Sequence, residues 1–336
     1  MEPETAHLQA RTSSSQPDRG KGWRGVFRVL LGFILLYGAI WILRAIMGVG
    51  PNLLMRWLGA SEDFRAYVGG TLNYGVGILS FLIFPAVALR MVLGVDPRPI
   101  FFPLDRNWWM DLMLGFLLTG GVLAIFFLIE VRWGWLAVES WNWQKLPLDA
   151  WLRVTWVGLL VNVGVAIGEE TIFRGYLLTG LKLTWGKWAG LGLMMVIFGL
   201  FHLPAYSEGG MHAGTLTLAI ILASLFGLLF GLVYLRTGTL WLPVALHFTW
   251  NFVETDLLNL TAEANNPNLI GALTRLQSPL TMTEVSLGNV VVVEALAFAI
   301  ISIGLWLGLR RRIPAYRDQA YLQQTKECSR ERRTGI

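Results

Sequence analysis

Apolar residues in this chain fall into long runs, separated by short stretches rich in charged residues, glycine and proline. A helix needs about 20 apolar residues to cross a hydrocarbon core of roughly 30 Å, and several of the runs reach that length. The pattern therefore predicts about eight transmembrane helices. We place them at residues 26–47, 68–93, 110–130, 152–178, 188–204, 214–235, 239–258 and 289–309.

These spans predict an all-α fold, a polytopic transmembrane helix bundle. The bundle covers residues 23–312. Residues 1–22 are predicted to be a disordered tail, and residues 313–336 a second polar tail. No signal peptide is predicted, because the first apolar run follows a polar stretch and leads into no small-residue cleavage site.

The composition agrees with a membrane protein and excludes several other classes. Of 336 residues, 54% are hydrophobic and only 15% are charged, whereas about a quarter of the residues of a soluble domain are charged. The net charge of +5 does not indicate nucleic-acid binding, because the basic residues lie mostly in the tails and short loops. The single cysteine, Cys328, excludes an intramolecular disulfide and a multi-cysteine zinc site.

The basic residues also predict the orientation of the chain. Arg24 precedes the first span and Arg310 follows the last, and cytoplasmic loops carry an excess of Lys and Arg. Both termini are therefore expected on the cytoplasmic side of a bacterial cell membrane. The long polar loop 259–288 is then expected outside, as a lid or a tether.

The fourth span holds charges that an apolar helix rarely contains. Glu169, Glu170 and Arg174 all lie in it, and each charge costs about 2.5–3.5 kcal/mol to insert. Glu170 and Arg174 are four residues apart, the favourable order for an ion pair on one helix face. Glu169 lies about 100° around the axis and is left free to act as a general base. The structural alternative is a buried salt-bridge cluster that only fixes helix packing, but one acid would suffice for that.

Two histidines fall in other predicted spans. Phe198 and His202 share one helix face, and His247 and Asn251 share another, because each pair is four residues apart. A single histidine in a helix is more often packed than catalytic. Two of them, together with an Asn and a surplus Glu in a membrane, favour a functional site. The other polar residues of the spans, Asn73 and Asn162, are explained by hydrogen bonds between helices, and Asp256 by contact with interfacial water.

These three motifs resemble the signature of the CPBP family of intramembrane proteases, which includes type II CAAX prenyl proteases, bacteriocin-processing proteins and relatives of lysostaphin resistance protein A. They are Glu169-Glu170-x-x-x-Arg174, Phe198-x-x-x-His202 and His247-x-x-x-Asn251. The resemblance covers roughly residues 160–255, the expected catalytic core. It implies an intramembrane endopeptidase whose catalytic cavity lies inside the bundle.

The resemblance also implies a role for each residue. Glu169 and His202 would activate a water, while His247 and Asn251 would stabilise the oxyanion. Glu170, Arg174 and Phe198 would support them. No cofactor is favoured, and the expected partners are the bilayer and a membrane-associated peptide or protein, prenylated or otherwise lipidated, but not nucleic acid.

Three alternatives stay open at this point. One is a zinc peptidase in which His202, His247 and Glu169 bind the metal and Glu170 is the base, although the motif His-Glu-x-x-His is absent. Another is a proton-coupled transporter, which would need ionisable groups along a path rather than in three motifs. The third is a non-catalytic immunity or scaffold protein with the same fold.

Overall fold

The computed structural model describes residues 22–104, 108–208, 213–260, 269–276, 300–302 and 304. Within these ranges, six helical stretches are long and apolar enough to cross a membrane, and this confirms an all-α, multi-pass membrane protein. They are Trp23–Trp57, Tyr67–Leu93, Trp108–Arg132, Leu148–Trp185, Lys187–Ser207 and Leu216–Thr237.

Ten α-helices and two strands form the described part of the chain, and three π-helical segments continue the helices. The helices are α1 (Trp23–Trp57), α2 (Glu62–Ala88), α3 (Trp108–Arg132), α4 (Asn142–Lys145), α5 (Leu148–Glu169), α6 (Thr179–Trp185), α7 (Lys187–Phe201), α8 (Leu203–Glu208), α9 (Ala213–Thr237) and α10 (Trp241–Asn251). The π-helical segments are Leu89–Leu93, Glu170–Leu178 and Phe252–Leu257, and the strands are β1 (Leu136–Trp141) and β2 (Ala272–Leu276).

The predicted spans correspond to these helices, although several helices extend beyond the predicted ends. The first helix runs on to Trp57 instead of ending at residue 47. The seventh span, 239–258, is the short helix Trp241–Asn251 with its π-helical continuation, and it is shorter than the six long stretches. Most of the eighth predicted span, both predicted tails and Cys328 lie outside the described residues.

A two-stranded sheet is an addition that the apolar runs did not predict. β1 pairs antiparallel with β2, which belongs to the predicted loop 259–288. The Asn142 side chain donates to Leu269 O at 2.7 Å, and the Trp151 indole donates to Ile270 O at 3.1 Å. The described part of this loop is therefore attached to the bundle beside the start of α5.

The distribution of buried and exposed side chains is that expected of a protein in lipid. Large apolar side chains such as Phe27, Ile34 and Leu117 are exposed on the outer helix faces, whereas Glu170 and Arg174 are fully buried. Charged groups inside a bilayer protein face the interior and mark functional sites. One apolar core joins α1, the second half of the α5–α6 helix and α7, and a second core joins α3, α9 and α10. The charged residues of the fourth span lie between these cores.

Candidate active site

The fourth span is one continuous helix whose hydrogen-bond pattern changes at the charged residues. α5 ends at Glu169, the π-helical segment begins at Glu170, and α6 follows at Thr179. The Thr171 hydroxyl, inside the π-helical segment, donates to Ile167 O of α5 at 2.7 Å, so it bridges this change. Such widened turns occur frequently at functional sites, because they redirect side chains within a helix.

Glu170 and Arg174 form the ion pair that their spacing predicted. Arg174 Nη1 donates to Glu170 Oε1 at 2.8 Å, and both side chains are fully buried. The guanidinium lies between two aromatic rings, with Cζ at 4.4 Å from the Phe198 centroid and 5.4 Å from the Phe230 centroid. It also donates to Gly227 O at 3.3 Å. Arg174 therefore connects the fourth span to α7 and α9.

His247 is held against this ion pair from α10. Its Nδ1 lies 2.9 Å from Glu170 Oε1, and its ring stacks on Phe230 with the centroids 5.3 Å apart. A carboxylate paired with Arg174 is an acceptor, so His247 Nδ1 carries the hydrogen. The opposite nitrogen, Nε2, then points toward Glu169, 3.8 Å from Oε2.

His202 reaches the same carboxylate oxygen from the end of α7. Its Nε2 also lies 3.8 Å from Glu169 Oε2. Its Nδ1 lies 2.8 Å from Phe198 O, and because a carbonyl only accepts, this nitrogen carries the hydrogen. In the neutral ring Nε2 is therefore an acceptor. Glu169 Oε2 is buried and has no hydrogen-bond partner among the described residues.

The structure thus brings together six of the seven residues singled out by their motifs: Glu169, Glu170, Arg174, Phe198, His202 and His247. The seventh, Asn251, is the last residue of α10, one turn beyond His247 on the same helix. Within the described ranges, its side-chain amide has no hydrogen bond to Glu169, to either histidine or to any other group.

One buried carboxylate was misjudged from the sequence. Asp256 was expected to reach interfacial water, but it is only 3% exposed and accepts from the Asn162 amide at 2.7 Å. The expected hydrogen bond of Asn162 to another helix is confirmed by the same contact. The sequence could have predicted the contact of Asn162 with Asp256, because both are polar residues in apolar spans and each needs a hydrogen-bond partner away from water. Phe230, which stacks on His247, carried no signal in the sequence.

The two histidines and Glu169 have the composition of a zinc site, which typically combines imidazole and carboxylate ligands. Among the described residues, no group of three or more His, Cys, Asp or Glu side chains is placed to hold a metal ion.

Comparison with known proteins points to the segment that carries these motifs. No curated protein and no solved structure matches the chain. A family model does match: it is described as Rce1-like, type II CAAX prenyl endopeptidase, and it covers residues 151–253. All seven motif residues fall inside that range, so residues 151–253 form a domain of this endopeptidase family, consistent with a CPBP-family intramembrane protease.

Proposed function

We propose that the protein is an intramembrane endopeptidase that hydrolyses a peptide bond of a membrane-associated substrate by means of a water activated by Glu169 and His202. One observation carries the proposal. A buried carboxylate oxygen, Glu169 Oε2, has no hydrogen-bond partner in the described part of the chain and lies 3.8 Å from Nε2 of both His202 and His247. A buried polar atom without a partner requires an explanation, and a catalytic role is one of those that native proteins supply.

The hydrogen-bond roles around Glu169 suit the activation of water. His202 Nε2 and Glu169 Oε2 are both acceptors, and a water molecule has two hydrogens to donate. A distance of 3.8 Å is too long for a direct hydrogen bond but short enough for one water to contact both groups. As the water attacks the carbonyl carbon, Glu169 takes its proton and later passes it to the leaving nitrogen.

The oxyanion that forms in this attack needs donors. The Asn251 amide has no acceptor among the described residues, and removal of one such donor from an active site costs about 2.7–4 kcal/mol. His247 already donates from Nδ1 to Glu170, so its Nε2 is a second donor only when the ring is doubly protonated. The support role of Glu170 and Arg174 is then to orient His247.

The substrate class follows from the family and the surroundings of the site. Type II CAAX prenyl endopeptidases act on prenylated C-terminal motifs, and the outer helix faces of this chain are apolar. We propose a peptide or protein anchored in the bilayer by a prenyl or other lipid group. A bacterial cell membrane with both chain termini in the cytoplasm remains part of the proposal.

The test is cleavage by purified protein reconstituted in vesicles. A library of membrane-anchored peptides, some ending in a prenylated Cys-a-a-X motif, is digested and the products are identified by mass spectrometry. Wild type is expected to cut at least one peptide, whereas Glu169→Ala and His202→Ala cut none. Asp149→Ala is the matched control, because this exposed carboxylate lies on the same helix and should leave cleavage unchanged.

The rival functions predict different results in this experiment. A proton-coupled transporter would cut nothing and would instead move protons or solutes across the vesicle membrane. A scaffold or immunity protein would neither cut nor transport. Either result, obtained with folded wild-type protein, refutes the peptidase.

The zinc-dependent version of the peptidase is favoured only by the composition of the site. Metal analysis of the purified protein and cleavage after exhaustive chelation separate the two versions. The water-activation route predicts little zinc and an unchanged cleavage rate. Stoichiometric zinc whose removal abolishes cleavage would establish the zinc enzyme instead.

A further inference from the structure

A buried polar contact joins the two helices that carry Glu169 and Asn251. The Asn162 amide of α5 donates to Asp256 Oδ2 at 2.7 Å, and both side chains are buried. Asp256 belongs to the π-helical segment Phe252–Leu257, which continues α10 directly after Asn251. The burial of a carboxylate is costly, which makes this contact a candidate for a functional role.

Asn162 lies on the same face of α5 as Glu169. The two residues are seven positions apart, which is close to two turns of an α-helix and about 10 Å along its axis. α5 is regular between them, since it runs from Leu148 to Glu169. The face that carries the proposed base therefore also carries the donor to Asp256.

The facing side of α10 and its continuation carries a matching series. His247 and Asn251 are four residues apart, and Asp256 follows Asn251 by one turn of the i→i+5 type. His247 Nε2 lies 3.8 Å from Glu169 Oε2, and Asp256 contacts Asn162. The two helices thus run antiparallel with one contact at each end, and Asn251 lies between the two contacts.

The contact between Asn162 and Asp256 is held at both ends. The Asn162 amide also donates to its own helix, to Gly158 O at 2.9 Å, and this second bond fixes its direction. Beside Asp256, the Thr255 hydroxyl donates to Asn251 O at 2.6 Å and lies 3.2 Å from Asp256 Oδ1. The carboxylate is thus connected to the backbone of the residue whose side chain is the proposed oxyanion donor.

We infer that Asn162 and Asp256 are positioning residues that set the place of this donor. Their hydrogen bond holds α10 at a fixed distance from α5, and with it the Asn251 amide at a fixed distance from Glu169. A donor acts when it lies about 2.7–3.1 Å from the oxyanion, and a displacement of about 1 Å can lower the rate about 100-fold. This inference rests on the proposed peptidase function, and neither positioning residue touches the reacting atoms.

The test removes the hydrogen bond without leaving a buried polar group behind. In Asn162→Leu/Asp256→Leu both partners are apolar, a replacement that is often nearly neutral for stability. Asp256→Asn is the conservative variant, because its amide oxygen still accepts from Asn162. Tyr176→Phe is the matched control: Tyr176 lies seven residues beyond Glu169, and its buried hydroxyl donates to Val29 O of α1, a helix that carries none of the proposed catalytic groups.

We expect the leucine pair to lower kcat by about tenfold to 100-fold with KM unchanged, because the oxyanion forms only in the transition state. Asp256→Asn and Tyr176→Phe should cut within a few fold of the wild-type rate. The sharpest comparison is made in the Asn251→Ala background. With the donor gone, the leucine pair should cause no further loss of kcat, since the two changes remove the same interaction.

Losses that multiply in the Asn251→Ala background would show that the pair supports the bundle in general and would overturn the inference. A folded leucine pair that cuts at the wild-type rate would overturn it as well, while the peptidase itself would stand. If the leucines prevent folding, Asn162→Ala/Asp256→Ala removes the same hydrogen bond without added bulk and is judged by the same criteria. If wild type cuts no peptide in the library, the proposed function fails and the inference fails with it.

Discussion

Arg174→Met is expected to destabilise the bundle strongly, because it leaves the Glu170 carboxylate buried without its cation. Both side chains are fully buried, and Arg174 Nη1 lies 2.8 Å from Glu170 Oε1. Breaking a buried ion pair on one side costs about 3–5 kcal/mol. His247 continues to donate to Glu170, so we expect a value of about 3 kcal/mol, at the lower end of this range.

The double variant Glu170→Leu/Arg174→Met separates the cost of the orphaned charge from the value of the pair. Replacing both members of a buried pair by apolar residues is often neutral or stabilising. His247 Nδ1 would lose its acceptor, which costs about 1–3 kcal/mol for a buried donor. We therefore expect the double variant to be more stable than Arg174→Met. We also expect it to be inactive, because His247 is then no longer oriented.

The assay is unfolding of the purified protein by titration of sodium dodecyl sulfate into a neutral detergent, followed by tryptophan fluorescence. Cleavage is measured on the same samples. If Arg174→Met unfolds at the same detergent fraction as wild type, Glu170 does not depend on Arg174 and the interpretation of the ion pair is wrong. Cleavage by the double variant at the wild-type rate would show that the pair does not serve the site.

Two further predictions concern the site and its scaffold. Asn251→Ala should lower kcat by about 10²–10³-fold and leave the free energy of unfolding unchanged, because its amide stabilises only the transition state; a changed KM with unchanged kcat would argue against an oxyanion role. Gly199→Ala should destabilise by about 1–3 kcal/mol, because its Cβ would lie 2.7 Å from Ile220 O. Gly192→Ala on the same helix is its control, since nothing lies within 4 Å of the added Cβ. Equal stability of the two glycine variants in detergent titration would contradict the close packing of α7 on α9.

The long-range features of the fold could not be predicted from local patterns. The spans follow from the length of apolar runs, which is a local property of the chain. The pairing of β1 with β2 joins residues far apart in sequence, so no run or turn signal announces it. The extension of α1 was missed because Gly50 and Pro51 suggest a break, but helices in a membrane tolerate such residues.

The part of the site that lies on a single helix could be predicted from the spacing of its residues. Spacing alone placed Glu170 and Arg174 in contact, and the structure confirms that contact. The approach of His202 and His247 to one oxygen of Glu169 depends on how three helices pack, which the sequence does not encode locally. The sequence also could not predict that Nδ1 carries the hydrogen in both histidines. Their acceptors, Phe198 O and Glu170 Oε1, meet these atoms only in the folded protein.

The most direct test of the account is the comparison of Glu169→Gln with wild type in one sample series, measuring cleavage rate and free energy of unfolding together. Glu169 Oε2 is buried and has no hydrogen-bond partner among the residues that the structure describes, so loss of its charge should leave the protein at least as stable as wild type. Its cleavage rate should fall by at least about 10²-fold, the lower end of general-base catalysis. A variant that unfolds more easily yet still cuts within a few fold of the wild-type rate would contradict the account, because Glu169 would then be part of a structural salt-bridge cluster.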